Sequence, residues 1–252
     1  MRRVISTTTL KRLMPVLAMA ALLALASACD TDTPQNTFDT KGPVAEKQAE
    51  IFYISMWPAL AIMILVLGGI VLLCLRFRER DPSFVPKQTH GNTKLELAWT
   101  IAPAILLLAV GIPMVATIYD LGREPADDAL RIDVVGQRYS WSFSYPDYPD
   151  ADGNPLTISS LQGPAHIPVD REVAFHLQSI DVIHSFWVPK LGGKLDVIPG
   201  EENVLWLEAS EAETFSGQCA EYCGLEHATM YLQLVAQPED EFDAWVEEAL
   251  AD

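Results

Sequence analysis

The sequence predicts a membrane α-helical hairpin followed by an all-β external domain. Three observations carry that reading: two uncharged apolar runs of more than twenty residues, 51–75 and 97–119, short alternating runs separated by turn residues after Leu130, and a charge balance that differs between the two halves. The chain has 252 residues, 17 Lys+Arg against 34 Asp+Glu, a net charge of −17 and a hydrophobic share of 50%. That share argues against disorder. The acidity argues against a nucleic-acid partner, whose phosphates need Lys and Arg, and suits a basic protein partner better.

In chain order, Arg2, Arg3, Lys11 and Arg12 precede an apolar run over 13–28 that ends in Ala26-Ser27-Ala28. Basic start, apolar middle and small-residue end make residues 1–28 a secretory signal peptide. Cleavage there leaves Cys29 first, which resembles a bacterial lipoprotein signal and makes Cys29 a lipidation candidate. Residues 29–50 are read as an external linker, polar over 30–42. Residues 51–120 are read as the hairpin. Its apolar runs, 51–75 and 97–119, exceed the ~30 Å hydrocarbon core at ~1.5 Å per residue. Pro58, Pro103 and Pro113 are tolerated in membrane helices. The loop 76–96 carries Arg76, Arg78, Arg80, Lys87 and Lys94 against Glu79, Asp81 and Glu96. Positive loops stay inside, so the loop is cytoplasmic and both ends are outside, as a cleaved signal peptide also requires.

After residue 120 the chain holds 6 Lys+Arg and 25 Asp+Glu. Residues 121–237 form the external domain. The runs 130–135, 139–145, 172–179, 203–209 and 230–236 read as strands, and Asp152-Gly153, Gly192-Gly193 and Pro199-Gly200 punctuate them. Such strands predict an antiparallel sandwich or barrel. Residues 238–252 close the chain as an acidic amphipathic helix with Phe242, Trp245, Val246 and Leu250 on one face.

The chemistry concentrates in Cys219-Ala220-Glu221-Tyr222-Cys223-Gly224-Leu225-Glu226-His227-Ala228-Thr229-Met230. Two thiols, an imidazole and a thioether within twelve residues suit copper or zinc, and a weak axial Met points to electron-transfer copper. One blue copper needs a single cysteine, whereas two thiolates can bridge a pair of copper ions. Each ion then needs an imidazole, so a second histidine must come from elsewhere. His184, in Asp181-Val182-Ile183-His184-Ser185, follows a strand 35 residues upstream of Cys219. His90 lies in the cytoplasmic loop, and His166 and His176 have no neighbouring partner motif. A Cys219–Cys223 disulfide is the competing reading, because external dithiols are normally oxidised. A structural Cys₂His₂ zinc site is another, although zinc does not need the Met.

With this motif in view, the chain resembles subunit II of cytochrome c oxidase, in the haem–copper oxidase family. His184-Ser185 with Val188-Pro189, Leu191-Gly192 and Ile198-Pro199-Gly200 extend the match. The resemblance implies that the external domain is a cupredoxin-like Greek-key β-sandwich or barrel holding the dinuclear copper A centre, on the periplasmic side of a bacterial cell membrane. It implies that Cys219 and Cys223 bridge two copper ions, that His184 and Met230 complete one, and that His227 and the Glu221 carbonyl complete the other. It implies that the Glu221 side chain reaches a magnesium ion shared with subunit I. It also implies that cytochrome c gives electrons to this centre, which passes them to haem in subunit I for oxygen reduction coupled to proton translocation, with subunit III as a further partner. Family members usually have Trp-x-Trp where this chain has Tyr139-Ser140-Trp141, so Tyr139 stands where the electron is received. Glu96 resembles the glutamate at the cytoplasmic mouth of a proton channel. Two rival functions share parts of the pattern: a membrane-anchored copper carrier or assembly protein, and a quinol-oxidase-type subunit, which resembles a version without the copper ligands.

Overall fold

The computed structural model describes residues 33–78, 83, 85, 88 and 90–251. The expected signal peptide, Cys29 and much of the basic loop lie outside those residues. Among the described residues two helices come first: α1, Pro43–Arg76, and α2, Thr93–Leu121. Pro43 opens α1 at a position where its missing N–H costs nothing. The Asn92 side chain caps α2 by accepting the Lys94 and Leu95 N–H groups. Apolar side chains stand exposed all round both helices, among them Leu65 and Leu72 on α1 and Leu107 and Ile112 on α2. A helix apolar on every side needs lipid or protein around it, and at 34 and 29 residues each can span a bilayer. Residues 43–50 are helical rather than linker, because Glu46, Lys47 and Glu50 end the apolar run without breaking helical geometry.

Ten strands follow, in two five-stranded sheets. The first has the order β3-β2-β1-β5-β8: β1 is Leu130–Gln137, β2 Ser140–Pro149, β3 Pro155–Ser159, β5 Val173–Ser179 and β8 Asn203–Leu207. The second has the order β4-β10-β9-β6-β7: β4 is Ala165–Pro168, β6 His184–Val188, β7 Gly192–Val197, β9 Thr214–Cys219 and β10 Tyr231–Gln237. The sandwich is not purely antiparallel. After β3 the chain crosses to the second sheet and then returns, so β5 runs parallel to β1 and β10 parallel to β4. Turn residues in the sequence signal hairpins and carry no trace of such a crossover. Period-2 alternation sends Ile132, Val134, Phe143, Phe175 and Leu177 of one sheet against Phe186, Phe215, Leu232 and Leu234 of the other, all buried.

The last helix, α3, is Glu239–Ala251. Phe242 and Val246 are buried, and Trp245 stacks on His166 with centroids 4.2 Å apart, whereas Leu250 remains exposed in the final turn.

Both membrane helices are clamped to the sandwich. Ahead of α1, the Lys41 N–H donates to the Lys190 carbonyl (2.8 Å) and the Ser210 N–H to the Lys41 carbonyl (2.9 Å). Lys190 is held between Asp39 (2.8 Å) and Glu213 (2.7 Å). Val44 and Ala45 are buried, and Gln48 Oε1 accepts the Gly193 N–H (3.2 Å). Lys47 pairs with Asp120 between the helices. Beyond α2, Trp206 Nε1–H donates to the Leu121 carbonyl (3.0 Å), and the Arg123 guanidinium lies 3.9 Å from the Trp206 ring while pairing with Glu172 (2.6 Å).

Burial opposes the Glu172 charge, but Arg123 and the Ala126 N–H outweigh it and hold the carboxyl below its ordinary value. A lowered folded pKa contributes stability that is complete above the unfolded value, about 4.3, and is lost as pH falls through the folded one. Glu172→Gln is therefore expected to flatten the acid limb of Tm against pH below about 4.3 in the detergent-solubilised full chain. An unchanged acid limb would assign that stability to other groups.

Candidate metal centre

The sheet that ends the domain brings two distant segments together. Phe186 of β6 pairs with Cys219 at the end of β9, so His184, two residues earlier on β6, comes alongside the loop that β9 releases. That loop turns back through a 3₁₀ turn, His227–Thr229, into Met230 and β10. The Cys219 N–H donates to the Met230 carbonyl (2.9 Å) and the Ala220 N–H to the Ser185 carbonyl (2.9 Å), which fixes both ends of the loop.

Around this frame the side chains converge. The Cys219 and Cys223 sulfurs lie 3.8 Å apart, far beyond the ~2.05 Å of a disulfide, and both are free thiols. Beside Cys219 Sγ stand His184 Nδ1 (3.8 Å) and the Glu221 carbonyl oxygen (3.2 Å). Beside Cys223 Sγ stand His227 Nδ1 (3.7 Å) and Met230 Sδ (3.8 Å). Each thiol thus has one imidazole and one weak donor as neighbours. His184, Cys219, Cys223 and Met230 are buried. The ligating atoms of His184, Cys219 and Cys223 lie within 4.8 Å of one another, close enough to share an ion. Soft thiols with imidazoles, a thioether and a carbonyl are a donor set for a copper pair. A four-coordinate zinc would leave the Met and the carbonyl without a role.

Sequence reasoning missed what holds the histidine. His184 Nε2–H donates to Asp181 Oδ1 (2.9 Å), while Asp181 Oδ2 accepts from the Arg138 N–H (2.9 Å) and Nε–H (3.2 Å). The Val182 N–H adds a bond to Oδ1 (2.6 Å). Burial alone would raise the Asp181 pKa, but these donors carry it well below the carboxylate range. Burial lowers the pKa of His184, and its contacts with Cys219 and Asp181 reverse that into a rise. Burial likewise opposes the Cys219 thiolate, yet hydrogen bonds from His184 and the Ser185 backbone of β6 bring that thiol down. Cys223 goes up, from burial and the adjacent negative Cys219. The signal that could have found Asp181 is its place three residues before His184. Gly136 makes room for the ring, since a Cβ there would stand 3.1 Å from His184 Cδ2.

Of the other expected site residues, Tyr139 stands at the turn between β1 and β2, half-buried, with its hydroxyl accepting the Leu225 N–H (3.0 Å). Trp141 is buried edge-on to His184, with centroids 5.9 Å apart. The Glu221 carboxylate is exposed and accepts only its neighbour's Tyr222 N–H (3.2 Å) among the bonds described. Glu96 sits in the first turn of α2, exposed and separate from the cluster.

The family model "Cytochrome C oxidase subunit II, periplasmic domain" matches residues 156–237, and "Cytochrome C oxidase subunit II, transmembrane domain" matches residues 31–116. The chain is 37% identical over 243 residues to cytochrome c oxidase subunit 2 of Alkalihalophilus pseudofirmus, covering 92% of this chain and 67% of that one. It is 31% identical over 239 residues to quinol oxidase subunit 2 of Bacillus spizizenii, covering 92% and 70%. Among solved structures, the periplasmic domain of subunit II of cytochrome oxidase of Bradyrhizobium japonicum is similar at 34% identity and a TM-score of 0.45, covering 50% of this chain and 95% of that one.

Proposed function

The chain belongs to the cytochrome c oxidase subunit II family, and on that premise we propose that it is the electron inlet of a membrane oxidase. It is anchored in the membrane by α1 and α2, with the β-domain on the periplasmic side. The observation that carries the proposal is the ring of donors about two free thiols 3.8 Å apart. Cys219, Cys223, His184, His227, Met230 and the Glu221 carbonyl would together hold a pair of copper ions. Such a pair supplies a one-electron store whose charge is shared between two ions. The role of the chain is to hold these donors in place and to keep water from the thiolates, which the burial of Cys219, Cys223 and Met230 supports.

The donor is cytochrome c, a basic partner for a domain with 25 Asp+Glu against 6 Lys+Arg, so complementary charge speeds the encounter. Tyr139 receives the electron. Its half-buried ring between the surface and the Cys223–His227 loop supports that role. The electron passes on to haem in subunit I, where oxygen is reduced to water with proton translocation. The exposed Glu221 carboxylate shares a magnesium ion with that subunit, Glu96 lines the cytoplasmic mouth of its proton path, and subunit III completes the complex. Cys29 carries a lipid after cleavage at residue 28.

Electron paramagnetic resonance with copper counted per chain tests this on the detergent-solubilised complex. Two coppers sharing one unpaired electron are expected. A single copper with a four-line signal would point to a copper carrier instead. The relatives named as quinol oxidase subunits give a second reading, in which quinol feeds the enzyme without copper. Prompt reduction of the complex by ferrocytochrome c decides for the first reading, and reduction by quinol alone decides for the second.

A further inference from the structure

Arg138 and Tyr139 are consecutive residues in one turn, yet their side chains go to opposite halves of the metal cluster. Arg138 holds Asp181 Oδ2 with both its N–H and its Nε–H, which leaves Oδ1 turned to His184 Nε2 at 2.9 Å. A neutral imidazole that donates from Nε2 carries its lone pair on Nδ1, the atom facing Cys219 Sγ at 3.8 Å. Tyr139 goes the other way. Its hydroxyl oxygen accepts the Leu225 N–H at 3.0 Å, in the loop between Cys223 and His227. Its ring lies over Gly224, whose φ of +140° suits glycine and where a Cβ would stand 2.5 Å from the hydroxyl oxygen. Leu225 itself is 95% exposed, so its side chain makes little contribution to holding the loop, and the hydrogen bond from its N–H ties the loop to the turn between β1 and β2.

We propose that the Arg138–Tyr139 turn is a two-armed positioning bracket that sets both histidines of the site before metal arrives, one arm running through Asp181 to His184 and the other through the Leu225 amide to the loop carrying His227. The bracket rests on the copper reading above and adds to it a job for the Tyr139 hydroxyl that is separate from any role of its ring. The chemistry of a tryptophan placed at this position sharpens the point. An indole N–H only donates, so it cannot accept the Leu225 N–H as a phenol oxygen does. Tyr139→Trp therefore supplies a larger aromatic surface and removes one arm of the bracket.

The test compares Tyr139→Phe, Tyr139→Trp, Asp181→Ala and Asp181→Asn in the full chain within its detergent-solubilised complex. The first readouts are the rate of copper loss to excess EDTA and the copper hyperfine pattern in electron paramagnetic resonance. Both Tyr139 variants and Asp181→Ala are expected to lose copper about 10-fold to 100-fold faster, the range seen when partners of metal ligands are removed, with an altered hyperfine pattern. Asp181→Asn keeps one acceptor for His184 Nε2–H but turns an NH₂ donor toward the Arg138 N–H and Nε–H, so it breaks the link to Arg138 and is expected to lose copper faster than the unaltered chain, though more slowly than Asp181→Ala. Native loss rates and an unchanged hyperfine pattern in Tyr139→Phe and Tyr139→Trp would overturn the bracket. Amide hydrogen exchange at Leu225 in the metal-free chain gives a readout independent of copper, expected to accelerate in Tyr139→Phe. If the unaltered chain bound no coupled copper pair, the copper reading would fail, and unchanged Leu225 exchange would then overturn the bracket separately.

Discussion

Cys223→Ser is expected to fold and reach the membrane but to lose the coupled copper pair, with electron uptake from ferrocytochrome c falling at least about 100-fold. The Cys223 sulfur links three donors of the cluster: Cys219 Sγ lies 3.8 Å away, His227 Nδ1 3.7 Å and Met230 Sδ 3.8 Å. A serine oxygen is smaller and harder, stays protonated at neutral pH and does not bridge two soft ions. Removing it separates His227 and Met230 from the Cys219 side. The copper count should fall from two to one or none, and the shared-electron signal should give way to a four-line signal or to silence. Folding should survive, because Cys223 sits in a loop outside both sheets and the replacement is nearly isosteric. Two coupled coppers in Cys223→Ser would remove Cys223 from the bridge.

The largest loss of stability is expected from Phe186→Ala, about 3–5 kcal/mol, as for other phenylalanines removed from a packed core. Phe186 is fully buried and lies 5.2 Å from Phe175, 5.7 Å from Trp141 and 6.4 Å from Phe143, measured between ring centroids. Those rings belong to the opposite sheet, so Phe186 is where the two layers interlock. Its backbone also pairs with Cys219, which links the core directly to the metal loop. Chemical unfolding of the full chain in detergent, followed by near-ultraviolet circular dichroism, measures the loss. A cost under about 1 kcal/mol would mean that the core collapses around the gap.

The metal motif is legible in the sequence because it is local: the loop donors fall within twelve residues, and only His184 has to be found elsewhere. The apolar runs are legible for the same reason, since a membrane span is a property of one continuous segment. Pairings between distant segments are not. Tyr139 and Leu225 are 86 residues apart and meet through a backbone amide that no side-chain pattern announces. The strands missed in the sequence also have physical reasons. β6 is buried at four of five positions, so its alternation is erased, and β7 opens on two glycines. β9 carries Gly217, where a Cβ would approach the Trp187 carbonyl at 2.8 Å, so close packing of backbones replaces the usual β-branched residue.

The clamp joining both helix ends to the sandwich has a kinetic meaning. A copper domain on a free tether could swing between a donor and an acceptor, and its turnover would be set by the tether's effective concentration. Here the ties at Lys41, Val44, Gln48, Leu121 and Arg123 remove that freedom. Under the electron-inlet proposal, the domain would be a fixed dock rather than a shuttle, and the mobile carrier would be the donor itself. Electron uptake should therefore scale with the concentration of free donor, and lengthening the connection after Leu121 should not speed it.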